Sequence, residues 1–147
     1  MLVRRGGVGD VAAHAELRGV GPDEFAAYAA WVAAHVDTHL PFVAEVDGSV
    51  VGVAWLHVAE RVPGSRSMER RYGDVQAVMV REEHRGQGVG SALMVALLEA
   101  ARGLGLLHVT VHSGRRAVDF YLRNGFDHHR RLLLWEQGGT SMDHSAG

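Results

Sequence analysis

The stretch Arg85-Gly86-Gln87-Gly88-Val89-Gly90 constrains the fold of this chain more than any other. It follows an apolar run, Val75 to Val80, and opens a helical pattern from about Gly88 to Leu104, with apolar residues at Val89, Leu93, Ala96, Leu97, Ala100 and Leu104. A strand therefore ends, a glycine-rich turn follows and a helix begins. The first turn of a helix has backbone N–H groups without partners and a partial positive charge, and small residues let an anion reach them. The turn is a candidate phosphate cradle.

Spacing decides which kind. A nucleotide-hydrolase loop needs a lysine after its second glycine; Ser91 follows Gly90, and no lysine occurs anywhere in the chain. A dinucleotide-binding turn needs a third glycine where Ser91 stands, and belongs after an N-terminal first strand. The missing lysine removes the first reading, and the missing glycine weakens the second.

The remaining sequence organises around this unit. Leu2 to Arg5 is a short first strand, and Asp10 is placed to cap a helix of about ten residues through Leu17. Pro22 and Asp23 open a second helix, with Phe25, Tyr28, Ala29, Val32 and Val36 at helical spacing. Phe42 to Val46 and Val50 to Val58 flank Asp47-Gly48, the kind of turn that joins antiparallel strands. The polar stretch between Ala59 and Gly73 lacks periodicity and reads as a long loop, a candidate substrate-facing flap or a solvated connector. Asp74 to Val80 is the next strand. After the cradle helix, Leu106 to His112 reads as a strand parallel to it, joined by a right-handed crossover that places a ligand at the carboxyl ends of the pair. Ala117 to Asn124 is a short helix closed by Gly125, Phe126 to Trp135 a last strand or hairpin, and residues 138–147 a tail expected to be disordered. One domain, residues 1–137, is expected.

Composition removes some classes. Charged residues make up 22% and apolar residues 47%, no run approaches a membrane span, and the N-terminus lacks the apolar core of a signal peptide. A cytoplasmic location is expected. With no cysteine the chain has no thiolate metal site and no cysteine nucleophile. A net charge of -2 and scattered arginines argue against nucleic acid. His35 and His39 have a zinc-compatible spacing, but Val36 stands where a zinc-peptidase helix carries glutamate, so no metal is expected there.

A second motif lies downstream, in Ala117-x-x-Phe120-Tyr121-x-x-x-Gly125-Phe126. Together with Val78-x-Val80 and Arg85-x-x-Gly88-x-Gly90, in this order and over residues 41 to 136, it resembles the GNAT superfamily of acetyl-CoA-dependent N-acetyltransferases. The resemblance implies an α/β fold with a central mixed, mostly antiparallel sheet, two splayed parallel strands and about four flanking helices. It further implies that Val78, Met79 and Val80 line the pantetheine arm, with main-chain groups of Val78 and Val80 pairing to it as an added strand would. Backbone N–H groups of Gly86, Gln87, Gly88, Val89, Gly90 and Ser91 would hold the pyrophosphate, with charge from Arg85. Ala117 and Phe120 belong to the same cofactor-binding set. Many family members carry asparagine where this chain has Gly114; Ser113 is the residue placed to replace part of that contact.

Amine acetylation requires a free-base amine, a stabilised oxyanion and a proton for the leaving thiolate. Near neutral pH only about one alkylamine in a thousand is unprotonated, so a base assists. Asp74 is the first candidate for it, by its place six residues before Val80, where the histone-acetylating branch carries glutamate; His112 and Glu60 are reserves. The resemblance makes Tyr121 the general acid, and a backbone N–H at Val80 is the expected oxyanion donor. The acceptor is expected to be a primary amine of a small molecule, an N-terminus or a lysine, and a homodimer is implied by the resemblance alone. The alternative is a catalytically silent acyl-CoA-binding module.

Overall fold

A computed structural model describes residues 1–139. Strand β1 is Leu2–Arg5, helix α1 Val11–Leu17, helix α2 Pro22–Ala34, strand β2 His39–Val46, strand β3 Ser49–Arg61 and strand β4 Arg70–Val80. Helix α3 (Val89–Gly103), strand β5 (Val109–Val111) and helix α4 (Val118–Arg123) complete the regular elements. The five strands form one sheet in chain order, antiparallel except for the β4–β5 pair. This is the mixed, mostly antiparallel α/β architecture expected, with four α-helices around it.

Alternation in β3 assigns the two faces of the sheet. Ala54, Leu56 and Val58 join Leu40, Phe42, Val75 and the α3 residues Val89, Leu93, Met94 and Leu97 in the larger core. Val53 and Trp55 point the other way, where Val43, Ala77 and Val32 of α2 form a smaller one. Each helix layer thus covers one face. At Gly52 a Cβ would lie 3.0 Å from Val89 and 3.2 Å from Leu93, so the missing side chain is what lets the start of α3 press against the sheet.

Several expected elements have different limits. The 59–73 stretch is shorter as a loop than expected: β3 continues to Arg61 and β4 begins at Arg70, in register from Ala59↔Tyr72 to Arg61↔Arg70. Cross-strand pairing overrides the polar composition there, and the tip itself is tightened by a Gly64↔Ser67 bridge. Only residues 62–69 connect the strands, so no long flap exists. Strand β5 is three residues rather than the seven from Leu106 to His112. Residues 126–135 form neither strand nor hairpin; Leu132 to Trp135 are exposed, and their apolar, strand-forming character is unmatched by any partner strand among the described residues. Asp10 does not cap α1 with its side chain; its carboxylate accepts from Gly7 N–H at 2.7 Å and from Arg4, tying β1 to the turn before the helix. The expected tail at 138–147 falls almost wholly outside the described residues.

Candidate active site

The β4–β5 pair holds register for only three residues, Gly73↔Val109, Asp74↔Thr110 and Val75↔Val111. Beyond it β4 continues through Val80 with no strand neighbour on that side among the described residues, while the chain after Val111 runs through Gly114 into a short 3-10 turn, Arg115–Ala117. The cause lies in β4 itself. Between Val53↔Met79 and Trp55↔Gln76, two residues, Ala77 and Val78, oppose the single Ala54. This bulge puts Ala77 at φ 54°, a left-handed conformation that costs a non-glycine residue about 1–2 kcal/mol. Bulges sharpen the twist of a strand, which works against further pairing with β5, and on that side residues 76–80 are left with main-chain groups free to pair with an extended ligand.

The glycine turn lies at the end of that opened run. Gly86 and Gly88 are both left-handed, at φ 74° and 81°, and Gly88 is the residue immediately before α3. A side chain at either would force strain, and neither has a neighbouring atom within contact distance of the added carbon, so the backbone there faces open space. No side chain caps α3, which leaves its first N–H groups for a ligand. Arg85 is exposed and its Nε donates to the Val80 carbonyl at 3.3 Å, closing the turn onto the end of β4. Gln87 likewise donates to the Glu83 carbonyl.

Helix α4 braces the cradle from behind. A Cβ on Gly90 would come within 3.0 and 3.1 Å of the Phe120 ring, so Phe120 packs directly on the first turn of α3. Asn124 adds a polar tie, donating to Ser91 Oγ at 3.2 Å and to the Phe120 carbonyl at 2.8 Å. Sequence reasoning missed this role of Asn124, because its partner lies 33 positions away. Ser113 donates its hydroxyl to the Gly114 carbonyl at 2.7 Å, and Ala117 packs partly buried against the main core.

Tyr121 is 4% exposed, edge-on to Phe120 and Phe126 at 5.0 and 5.5 Å. Burial first, and the nearby charge of Asp74 second, push its phenol up to about 12. It also lines a cavity of about 780 Å³ along the free side of β5, together with Val111 and Ser113. Asp74 sits where the splay begins, its Oδ1 accepting from Thr110 Oγ1 at 2.7 Å and its Oδ2 from Gln76 at 3.2 Å. The structure therefore brings Asp74 within electrostatic reach of Tyr121. His112 lies just past β5 and is exposed; Glu60 is exposed near the far end of β3, opposite Arg71. Val78 and Val80 pack partly buried against the main core, and Met79 against the smaller one.

His35 and His39 belong to a ring assembly. Trp31 stacks on His35 at 3.9 Å, meets His39 edge-on at 4.8 Å, and His39 stacks on His57 at 4.3 Å with planes 14° apart. Among the described residues no group of three or more histidine, aspartate or glutamate side chains is arranged to hold a metal ion. His57 carries no motif signal; only the strand register, which pairs it with both His39 and Asp74, reveals it.

The profile of the acetyltransferase (GNAT) family matches residues 5–126. A glucosamine 6-phosphate N-acetyltransferase of Trypanosoma brucei brucei is 32% identical over 93 residues, 63% of this chain and 60% of that protein. A mycothiol acetyltransferase of Amycolatopsis mediterranei is 37% identical over 91 residues, 60% of this chain and 30% of that protein. The chain thus spans less than two thirds of the length of these relatives. Among solved structures, an acetyltransferase of Trypanosoma brucei superposes with a TM-score of 0.73 at 26% identity, covering 92% of this chain and 98% of that one. A Clostridium acetobutylicum chain described as a predicted acetyltransferase with acetyl-CoA has the same fold, with a TM-score of 0.74 at 14% identity over 92% and 95%. With the profile covering most of its length, a splayed parallel pair and an uncapped glycine turn at the end of β4, the chain belongs to the GNAT acetyltransferase family.

Proposed function

We propose that this chain is an N-acetyltransferase that moves an acetyl group from acetyl-CoA to a primary amine by direct attack in a ternary complex. The observation that carries the reading is the order of three features along the chain: Asp74, which acts electrostatically on Tyr121, then the main-chain run 76–80 unpaired on its β5 side, then the turn that is open at Gly86 and Gly88. A pyrophosphate on the turn and a pantetheine along the run would direct the thioester toward Asp74 and Tyr121. When bound, acetyl-CoA supplies the activated acyl group. An N–H of the splayed run, at Val80 or nearer the bulge, stabilises the oxyanion.

The acceptor ammonium is drawn to the Asp74 carboxylate, gives up a proton to a base at that end of the run, and its nitrogen forms the new C–N bond as the C–S bond breaks. With a phenol pushed up to about 12, Tyr121 stays protonated at any working pH. Full transfer to a thiolate whose ordinary pKa is about 8.5 is uphill, so Tyr121 acts as a hydrogen-bond donor to the sulfur, and the thiol's proton comes ultimately from the acylated nitrogen. Tyr121→Phe is expected to lower kcat at least about tenfold and leave acetyl-CoA affinity unchanged. Equal turnover in that variant removes the assignment.

The relatives' names make amino-sugar phosphates and amines of small thiols sensible first acceptors in an amine panel. A cytoplasmic location and a homodimer complete the reading; no described helix is long and apolar enough to cross a membrane. Thermal unfolding with acetyl-CoA, CoA, ATP and NAD is the direct test. A native-state ligand at a hundredfold excess over its Kd stabilises by about 2.7 kcal/mol, a shift of several degrees. Stabilisation by acetyl-CoA alone or with CoA, followed by CoA release with an amine, supports the enzyme. Stabilisation with no turnover on any amine favours the silent acyl-CoA-binding module instead.

A further inference from the structure

The proton lost by the acceptor amine needs a destination, and the Asp74 carboxylate already has both oxygens engaged by Thr110 and Gln76. His57 is its direct cross-strand neighbour in antiparallel register, which places the two side chains on one face with Cβ atoms about 5 Å apart. That face is the one carrying Trp55 and α2, and it is half-open at His57. Unlike His35, whose Nδ1 meets the Trp31 carbonyl at 2.6 Å, and His39, whose Nδ1 meets Thr38 Oγ1 at 2.9 Å, His57 bonds to no protein group through either ring nitrogen among the described residues. Yet its ring is not free to turn. It lies flat on His39, which is itself fixed between His57, the edge of Trp31 and Thr38.

A held imidazole with unengaged nitrogens beside a carboxylate suits a proton acceptor more than a packing residue. We propose that His57 takes the proton from the acceptor amine, with Asp74 anchoring the ammonium and His39 positioning the imidazole plane. The inference rests on the acetyltransferase reading and deepens it. In the step, R–NH3⁺ gives one proton to a neutral His57 nitrogen, the freed lone pair attacks the thioester carbonyl, and the imidazolium returns its proton to solvent after CoA leaves. The groups that face His57 are His39 from β2, with Trp31 of α2 and His35 just past its end behind it, and Asp74 from β4.

The test uses the full chain, acetyl-CoA and whichever amine of the panel gives the fastest CoA release, following kcat against pH. In the wild type kcat should fall on the acid side along a limb that marks protonation of the base. His57→Gln should lower kcat at least about tenfold at neutral pH and abolish that limb, with acetyl-CoA affinity unchanged as evidence of an intact fold. His39→Ala should lower kcat several-fold and keep the limb, and His39→Phe, which restores a flat ring, should recover most of the loss. An unaltered limb in His57→Gln overturns the proposal while leaving the acetyltransferase reading standing; if His112→Gln removes it instead, the base is at the end of β5. Failure of every amine to release CoA defeats both together.

Discussion

His14 is fully buried, its Nδ1 2.8 Å from the Tyr28 hydroxyl, its ring edge-on to Trp55 at 5.1 Å, and its Nε2 without a partner among the described residues. Burial holds its pKa below the ordinary imidazole value, with Asp10 opposing in part. His39 is lowered in the same direction, by burial and then by His57 and His35. An unfolded chain therefore binds more protons than the folded one once the pH drops below about 6.5, and stability rises with pH in that window. The contribution is complete above it and is lost as the pH falls toward the folded values. Asp10, lowered mainly by its hydrogen bonds from Arg4, adds a second loss at more acidic pH, below the ordinary carboxylate range. The unfolding temperature should fall between about pH 7.5 and 5.5, and His14→Gln should reduce that fall, leaving only the part due to His39. A fall of the same size in the variant removes His14 as its cause.

Between elements, the contact between α3 and α4 decides whether the cradle keeps its shape. Gly90 is in helical conformation, so alanine there costs nothing in the backbone, but its methyl would meet Phe120. Overpacking of this kind costs about 1–3 kcal/mol. Gly90→Ala should lower the unfolding temperature by several degrees and weaken acetyl-CoA binding, and adding Phe120→Leu should restore most of both; calorimetry with and without acetyl-CoA reads the pair. Gly88→Ala acts differently, through a strained left-handed backbone that no second substitution relieves. The two glycine roles have the same letter in the sequence. That is why the motif could be read there while its mechanics could not: the strand, turn and helix around Gly86 to Ser91 follow from local pattern, whereas the Phe120 contact and the Asn124 tie depend on where a helix thirty residues later comes to rest. The same limit explains the two ends of the 59–73 stretch, where Glu60, Arg61, Arg70 and Arg71 are strand because their partners across the hairpin make them so. It explains His57 as well, an alternation residue like any other until the register sets it against Asp74.

At the scale of the molecule the sheet ends in two unlike edges. β1 is a short edge, while the free side of β5 faces the cavity and is followed in the chain by the exposed run Leu132 to Trp135, in which Leu133 is 88% and Trp135 82% exposed. An unpaired edge next to an apolar run of strand-forming residues is an association surface unless something covers it. We propose this surface as the interface of the homodimer suggested above, with the apolar run of each chain against the β5 side of the other. Two-fold pairing of this kind is self-complementary, so one patch suffices for both partners. Leu133→Glu with Trp135→Glu should convert the protein to a species of half the mass in sedimentation, with little change in the unfolding of the chain itself, because neither side chain is part of the core. A wild type that sediments as a single chain at tens of micromolar overturns the dimer. A dimer indifferent to both substitutions moves its interface elsewhere, toward the short edge at β1. Since Tyr121 lines the same cavity, the first outcome also predicts that acetyl transfer by the monomeric variant is slower than that of the wild type at equal chain concentration, and that Tyr121→Phe has the same fold effect in both.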